Sequence, residues 1–269
     1  MNPLLDLFAH PVIGHRGASG VAPENTCESL ELAIAQGAEA VELDVHLAAD
    51  GTPVLMHDES LDRTTGSTGL LRSRSAKELA GLDAGYHFTL DAGLSFPWRN
   101  RGICIPTLAE VLERFPAMPL LIELKTVEVA EPVRELLVRF QAQNRVVLAS
   151  FLDAALVPFR GQGFHLGASR RRIAELWVRS KLGFPAPSGP EEFYAVPDLF
   201  RDRLPVPTSR FIRAARRAGR PVHVWTVDDP VQAAQLWRLG VSGVITNVPA
   251  LMLAERNRLF PAEQRSSVG

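Results

Sequence analysis

The sequence contains little that would tie the chain to a membrane or to an oxidising compartment. It has only two cysteines, Cys27 and Cys104, and their spacing does not match a metal-binding motif. A disulfide between them stays open, but reduced thiols and a cytoplasmic location are the simpler interpretation. No window approaches 18 uninterrupted apolar residues, and the N-terminal residues lack the basic and apolar regions of a signal peptide. We therefore expect no stable membrane insertion.

The chain also lacks an excess of charge of either sign. Its 29 Lys and Arg residues are balanced by 30 Asp and Glu residues, which leaves a net charge of −1 at pH 7. A protein that binds nucleic acid needs surplus positive charge to neutralise phosphates, so no nucleic-acid partner is predicted. The composition does not indicate an oligomeric state. It is typical of an ordinary globular protein.

What the sequence does contain is a regular alternation of short apolar strands with helical segments. Nine strands are predicted, at residues 11–14, 41–46, 53–56, 120–125, 145–151, 165–168, 193–196, 221–227 and 243–246. Alternation at this spacing is typical of an α/β protein with a parallel sheet, and the chain length suits a (β/α)₈ TIM barrel. Because such a barrel needs eight strands, one of the nine predictions should be wrong, and residues 193–196 are the weakest.

The alternation stops between residues 59 and 104. This segment contains DRTTGSTG, a short helical stretch at residues 75–80 and the irregular LSFPWRNRG. About forty residues without a regular pattern are too many for a plain connection in a compact barrel. We therefore predict an inserted lobe at 59–104, after the third strand region and beside a functional site, within a single domain that spans residues 1–269.

Residues 41–58 carry the first group of candidate functional side chains. Glu42 and Asp44 alternate with apolar residues, so both carboxylates lie on one face of the predicted strand. The Asp-Gly pair at 50–51 predicts a tight turn, and the apolar run that follows ends at His57. Two carboxylates and a histidine could form a metal and acid/base site, although an ordinary solvated hairpin shows the same alternation.

Polar side chains at the ends of four predicted strands point to one shared site. They are His15 with Arg16, Glu42 with Asp44, His57 with Asp58, and Glu123 with Lys125. Because the carboxyl ends of barrel strands form one face, residues distant in sequence converge there. Carboxylates suit a hard divalent cation, Arg and Lys suit a phosphate, and two histidines can exchange protons. These residue types indicate phosphoester chemistry assisted by a metal.

Ten short segments, in order over nearly the whole chain, match the pattern of one known family. They are HRG (15–17), PENT (23–26), ELD (42–44), DGTPVLMHD (50–58), LDRTTGSTG (61–69), LDAG (82–85), IPTLAEVL (105–112), IELK (122–125), VWTV (224–227) and GVSGVITNVP (240–249). With these segments the chain resembles the glycerophosphodiester phosphodiesterases, and ten segments in register are far more specific than any one. A departure is Asn247, where the family usually has Asp, and its place after the last strand favours a structural role.

The resemblance implies a (β/α)₈ barrel that hydrolyses glycerophosphodiesters to glycerol 3-phosphate and an alcohol. The site residues that it implies are His15 and His57 as the acid/base pair, Arg16 and Lys125 on the phosphate, Trp225 in the alcohol pocket, Glu42, Asp44 and Glu123 as ligands of Mg²⁺ or Ca²⁺, and Glu24 and Asn25 as supports from the first loop. Which histidine is the acid, which of the two metals binds and which alcohol leaves are left open.

Two other functions fit the same residues. A lysophospholipase D, or a phospholipase-like lyase on the same fold, would need an apolar groove, which the lobe could form from Phe88, Leu90, Leu94, Phe96 and Trp98. A non-catalytic barrel that binds a phosphodiester or a partner protein is disfavoured, because it would not need both histidines and all three carboxylates. The fold alone does not separate these functions.

Four features have two interpretations each. His46 shares a face with the acidic pair but is more typical of a surface histidine, and His87 in the lobe could touch a substrate. Asp58 could orient His57 or cap a turn. The basic helix predicted at 170–181 could contact a membrane surface, although a solvated barrel helix is the more common case.

Overall fold

The computed structural model describes residues 2–201 and 203–261 of the chain, and its centre is a closed barrel. The strands of this part are β1 (Val12–His15), β2 (Ala40–Leu47), β3 (Pro53–Leu55), β4 (Leu120–Leu124), β5 (Val146–Ala149), β6 (His165–Gly167), β7 (Glu191–Pro197), β8 (Leu199–Phe200), β9 (Leu204–Pro205), β10 (Val222–Trp225) and β11 (Gly243–Thr246). Eight of them, all except β3, β8 and β9, are parallel, and the barrel closes because β1 pairs with both β2 and β11. The predicted (β/α)₈ barrel is confirmed.

The expectation that one of the nine predicted strands is not a strand was wrong. Residues 193–196, the weakest prediction, lie within β7, which is a full barrel strand between β6 and β10. The surplus strand is β3, which pairs antiparallel with the end of β2 outside the barrel. The turn before β3 reverses the chain through Gly51, whose φ of 81° is costly for residues with a Cβ. A strand that follows so tight a turn can only be antiparallel, and it cannot join the parallel barrel.

Helices surround the barrel. They are α1 (Cys27–Ala35), α2 (Ala76–Ala80), α3 (Leu108–Arg114), α4 (Ala130–Arg139), α5 (Asp153–Leu156), α6 (Arg170–Lys181), α7 (Ser209–Arg217), α8 (Pro230–Leu239) and α9 (Pro249–Leu259). The polar composition after Arg256 predicts a loosely held tail. This prediction is wrong for the residues up to 260. There α9 continues to its end, and the ring of Phe260 stacks on His10 with 4.1 Å between ring centroids. Residues 262–269, the rest of that tail, lie outside the described part of the chain.

The interior of the barrel is apolar at depth and polar at the carboxyl ends of the strands. A small buried cluster fills it, formed by Leu4, Ile13, Ala40, Leu121, Val147, Phe193 and Ile245. Leu4 comes from the segment before β1, and its carbonyl accepts a hydrogen bond of 2.9 Å from Nε2 of the fully buried His223. Burial lowers the pKa of His223 to about 4, which keeps this ring neutral.

The chain between β3 and α3 packs together with β3 and the residue after β2 around a separate buried cluster. This cluster contains Ala48, Val54, Met56, Leu61, Leu71, Leu79, Ala84, Ile103 and Ile105. The indole N–H of Trp98 donates to the carbonyl of Val21 at 3.2 Å, which ties the segment to the loop after β1. The limits of the predicted lobe, 59–104, and the single domain over 1–269 stay predictions. Within the described ranges, no helix combines the length and apolar character needed to cross a membrane.

Candidate active site

The turn after β1 fixes the first two polar residues of the site. His15 is the last residue of β1, and Arg16 follows with a φ of 54°. Gly17 has a φ of 89°, and a Cβ there would lie 2.5 Å from the backbone carbonyl carbon of Ser29, so only glycine fits. In this conformation the backbone N–H of Arg16 donates to Oε2 of Glu42 at 3.0 Å. The strained turn therefore directs Arg16 towards the acidic residues of β2.

Three carboxylates converge at the carboxyl ends of β2 and β4. Glu42 and Asp44 lie on β2, and the parallel register places Glu123 of β4 directly beside Asp44. One oxygen from each of the three side chains lies within 4.8 Å of the others. Glu42 is 6% exposed and Asp44 only 1%, so this is a cluster of acidic groups largely withdrawn from water.

The pKa directions show that these carboxylates repel each other. Burial raises the pKa of Glu42 well above its usual value, and Asp44 and Glu123 raise it further. Burial also raises the pKa of Glu123, although Lys125 opposes it. The pKa of Asp44 is lowered, because Lys125 and Arg16 outweigh its burial. A cluster of oxygen donors with excess negative charge matches the ligand set of a hard divalent cation, so these residues fit such an ion.

Two cationic side chains flank the carboxylates. The ammonium of Lys125 lies 2.8 Å from Oδ1 of Asp44 and 2.8 Å from Oε1 of Glu123. Nη1 of Arg16 donates to Glu24 at 2.8 Å, while Nε lies 3.0 Å from Oδ2 of Asp44. Burial alone would lower the pKa of both cations, but the carboxylates outweigh it and raise both values. Nε of Arg16 has no aligned hydrogen-bond acceptor among the described residues.

Asn25 holds Asp44 from the first loop. Its amide Nδ2 donates to Oδ2 of Asp44 at 3.0 Å, and its Oδ1 accepts from the backbone N–H of Asp44 at 3.1 Å. Asn25 has a φ of 55°, a conformation that asparagine adopts more readily than most residues. The reciprocal pair of hydrogen bonds fixes the Asp44 carboxylate while leaving it ionised.

Hydrogen bonds determine the tautomer of His15. The amide Nδ2 of Asn247 donates to Oδ2 of Asp228 at 2.6 Å, so its Oδ1 is the atom that faces Nδ1 of His15, at 2.8 Å. An amide oxygen only accepts, and Nδ1 must therefore carry the proton. This leaves Nε2, which lies 4.0 Å from Oε2 of Glu42, as the atom with the free lone pair. Asn247 thus orients His15 as well as ending the last strand.

His57 has a carboxylate partner on its own segment. Its Nδ1 donates to Oδ1 of Asp58 at 2.6 Å, and the other Asp58 oxygen accepts from Nε of Arg63 at 2.5 Å. The pKa of Asp58 is lowered, because hydrogen bonds from Arg63 and His57 outweigh its burial. An ionised Asp58 fixes the proton on Nδ1 of His57, which leaves Nε2 as the atom that can exchange protons.

A cavity of about 90 Å³ lies among these side chains. Its lining consists of His15, Arg16, Glu42, Asp44, His57, Leu121, Glu123, Lys125, Ala149, Phe151, Ala195, Trp225 and Ile245. Trp225, the last residue of β10, packs edge-on against Phe151 with 6.2 Å between ring centroids. Eight of the ten predicted site residues therefore line one cavity, and the other two, Glu24 and Asn25, hydrogen-bond to Arg16 and Asp44 of its lining.

Comparison with known proteins identifies the family. Residues 15–162 and 184–251 match the model of the glycerophosphoryl diester phosphodiesterase family. The chain belongs to this family. It is 30% identical over 252 residues to a glycerophosphodiester phosphodiesterase of Caldanaerobacter subterraneus. The alignment covers 90% of this chain and 96% of the relative. A glycerophosphodiester phosphodiesterase of Bacillus subtilis is also 30% identical, with 89% of this chain and 84% of the relative covered.

A solved phosphodiesterase structure has the same fold. The phosphodiesterase of Oleispira antarctica, in complex with the product sn-glycerol-3-phosphate, superimposes with a TM-score of 0.74 at 30% identity. The match covers 92% of this chain and 96% of that one.

Sequence patterns missed several contacts of this site. Arg63 belongs to the LDRTTGSTG segment that carried the resemblance, but nothing in its spacing pointed to Asp58 and Glu24. His46 was expected at the surface, which is wrong: it is 6% exposed, and its Nε2 donates to the His57 carbonyl at 3.2 Å. Its burial follows from the β3 hairpin, which covers this end of β2. His87 is exposed and packs edge-on against the ring of Tyr86.

Proposed function

We propose that this family member hydrolyses glycerophosphodiesters to sn-glycerol 3-phosphate and an alcohol. The observation that carries the proposal is the cavity itself. It brings together two histidines with fixed Nδ1 partners, three clustered carboxylates and two cationic side chains. The names of its relatives, and the product bound by the Oleispira antarctica phosphodiesterase, support the substrate class.

Glu42, Asp44 and Glu123 would hold a divalent cation, Mg²⁺ or Ca²⁺. The choice between these ions is not fixed by three carboxylates, since both prefer oxygen ligands. When bound, the cation supplies Lewis-acid polarisation of the phosphoryl group. Lys125 neutralises part of the remaining negative charge through its contacts with Asp44 and Glu123.

Arg16 and Lys125 would bind the phosphate. Nε of Arg16 is a buried donor without an aligned acceptor in the described part of the chain, and a phosphate oxygen would satisfy it. The planar guanidinium also matches the spacing of phosphate oxygens. Trp225 and Phe151 form the apolar side of the same cavity, where we place the alcohol portion of the substrate.

His15 and His57 would transfer protons through their Nε2 atoms. Burial, followed by the charge of Arg16, lowers the pKa of His15, so its ring is neutral near pH 7 and Nε2 can accept a proton. His57 is then the residue that protonates the leaving alcohol. Asn247 and Asp58 hold the two rings by their Nδ1 atoms, so each ring presents a single reactive nitrogen.

Replacement of Asn247 by Ala should lower kcat by about 10-fold, since misplacing a reacting group costs rate even when the group is kept. The change removes the acceptor that holds Nδ1–H of His15. Steady-state kinetics of the purified variant provides the measurement. Ser19→Ala is the matched control, because Ser19 donates to the same Asn247 oxygen but does not touch His15. A kcat for Asn247→Ala as high as that of the control would contradict this role.

We also propose that the substrate supplies its own nucleophile. No serine, threonine, cysteine or tyrosine is among the described residues that line the cavity, so a covalent enzyme intermediate on a hydroxyl or thiol has no candidate. In a glycerophosphodiester the hydroxyl beside the ester can attack phosphorus. The bond to the leaving alcohol then breaks and a cyclic phosphate forms, which water opens to glycerol 3-phosphate.

An analogue with hydrogen in place of that neighbouring hydroxyl separates this route from direct attack by water. We expect the deoxy analogue to bind as a competitive inhibitor and to show no measurable turnover, because the attacking oxygen is missing. The parent compound, run in the same phosphate-release assay, is the control. Turnover of the analogue at the parent rate would show that water attacks directly.

The lysophospholipase D alternative receives less support from the lobe than the sequence suggested. Phe88 packs edge-on against Trp98 with 6.5 Å between ring centroids, and the guanidinium of Arg99 covers Phe96 at 3.7 Å. These three rings are therefore engaged within the segment, and only Leu90 and Leu94 are strongly exposed.

A substrate panel tests the proposed function directly. We expect release of glycerol 3-phosphate from at least one of glycerophosphocholine, -ethanolamine, -glycerol and -inositol, and a much slower reaction with a lysophospholipid. Preference for the lysophospholipid would favour the alternative enzyme, and binding without turnover would favour a non-catalytic barrel. The cytoplasmic location and the lack of a nucleic-acid partner stay predictions.

A further inference from the structure

Arg63 joins two parts of the site that are far apart in the sequence. Its Nη1 and Nη2 donate to the two oxygens of Glu24, each at 2.7 Å, and its Nε donates to Asp58 at 2.5 Å. Glu24 also accepts from Arg16 at 2.8 Å, and Asp58 accepts from His57 at 2.6 Å. A continuous row of hydrogen-bonded side chains therefore runs from Arg16 to His57, and Arg63 is its centre.

The geometry requires arginine at the centre of this row. A guanidinium presents several N–H donors in one plane, so it can bind one carboxylate with two parallel hydrogen bonds and a second carboxylate through Nε. The compact ammonium of lysine cannot make both contacts with the same directionality. Burial alone would raise the pKa of Glu24, but Arg63 and Arg16 outweigh it, and the lowered pKa keeps the carboxylate ionised between them.

Stability alone does not account for this arrangement. The Arg63 side chain is 48% exposed, so water screens part of its ion pairs and limits their contribution to folding. The contact between the lobe and the first loop is also held by Trp98 and Val21, away from the charged residues. Arg63 instead donates to Asp58, which holds the proposed catalytic residue His57. It also donates to Glu24, which binds the proposed phosphate ligand Arg16.

We propose that Arg63 is a positioning residue that holds His57 through Asp58 and Arg16 through Glu24. The inference rests on the proposed function. Among the described residues, loss of Arg63 leaves Glu24 with one cationic partner instead of two and Asp58 with the His57 ring alone. Both carboxylates then gain freedom to turn towards solvent. The His57 ring and the Arg16 guanidinium lose the fixed orientation that proton transfer and phosphate binding need.

Kinetics of Arg63→Ala and Arg63→Lys test the proposal. We expect Arg63→Ala to lower kcat by about 10-fold and to raise KM several-fold, with Arg63→Lys between this variant and the wild type. Added guanidinium ion should restore part of the kcat of Arg63→Ala and leave the wild type unchanged. Arg114→Ala is the matched control, because its side chain is also 48% exposed and ion-paired, with Glu31, but lies on α3. It should keep wild-type kcat and KM.

Double-mutant cycles separate positioning from a general loss of structure. If Arg63 acts through Asp58, Arg63→Ala should lower kcat much less in an Asp58→Asn background than in the wild type. If it acts through Glu24, its effect on KM should shrink in a Glu24→Gln background. Strictly additive effects in both cycles, or an Arg63→Ala variant with the kcat of Arg114→Ala, overturn the proposal. If Arg63→Ala does not fold, the additivity of Arg63→Lys is measured in the same two backgrounds and tests the proposal in the same way.

The wild-type measurement keeps this inference separate from the proposed function. A wild-type protein that turns over no member of the substrate panel contradicts the proposed function, whatever the variants do. A wild-type protein that is active, with an Arg63→Ala variant equally active, contradicts only the positioning role of Arg63.

Discussion

Glu42→Gln and Asp44→Asn should each lower turnover by about 1,000-fold or more, a scale set by the several kcal/mol that a catalytic metal contributes. Both carboxylates lie in the cluster of three whose oxygens are within 4.8 Å of one another. Loss of one charged ligand weakens the binding of a hard divalent cation, so activity and cation affinity should fall together. Isothermal titration with Mg²⁺ and Ca²⁺, beside steady-state kinetics of the same preparations, measures both.

Glu191→Gln is the matched control for these variants. Glu191 is as buried as Glu42 and Asp44, but it pairs with Arg172 and Arg220 away from the cavity. Its replacement should lower the melting temperature and leave cation affinity unchanged. Wild-type cation affinity in both Glu42→Gln and Asp44→Asn would remove these residues from the metal site.

The same substitution at Glu42 should stabilise the metal-free protein. Burial, then Asp44 and Glu123, raise the pKa of Glu42 in the folded state, so ionising it costs folding free energy. This cost is absent below the ordinary pKa of a glutamate and grows as the pH rises towards the raised value. We therefore expect the melting temperature of metal-free Glu42→Gln to exceed that of the metal-free wild type at pH 7–8, and the difference to vanish near pH 4.

His15→Ala and His57→Ala should each lower kcat by about 100-fold or more, the usual scale for a general acid or base. Each ring is held by a partner on Nδ1 and presents Nε2 for proton transfer. If both act in one proton relay, the double variant should lose less than the product of the two single effects. Kinetics of the two single variants and the double variant supplies the comparison.

His165→Ala is the control for the histidine variants. His165 also pairs with a carboxylate, Glu192 at 3.0 Å, but it is the first residue of β6 and does not line the cavity. Its replacement should leave kcat unchanged. A double variant of His15 and His57 with near wild-type turnover would exclude the pair from the mechanism.

The barrel and most of the cavity follow from local patterns in the sequence. Polar side chains interrupt apolar strands at His15, Glu42, Asp44 and Glu123, and parallel strands bring their carboxyl ends to one face. The position of β3 outside the barrel could have been foreseen, since the Asp-Gly turn before it is too short for a parallel connection. The number of predicted strands alone did not show which of the nine lies outside the barrel.

The contacts that orient the proposed catalytic groups depend on folding and not on spacing. His15 and Asn247 are 232 residues apart, and Glu24 and Arg63 are 39 apart, so no periodic pattern relates them. Asn247 was expected to be structural because its sequence position gives only the end of a strand. Closure of the barrel places β11 next to β1, and this brings Asn247 to the ring of His15.

Metal removal and replacement in a glycerophosphodiesterase assay tests most directly whether the proposed hydrolysis requires a divalent cation. The wild-type protein is treated exhaustively with chelator, the chelator is removed, and release of glycerol 3-phosphate is followed before and after addition of Mg²⁺ or Ca²⁺. We predict that chelation abolishes turnover, that at least one of the two ions restores it, and that neither restores it in Glu42→Gln. Full turnover after exhaustive chelation would contradict the proposed requirement for a divalent cation.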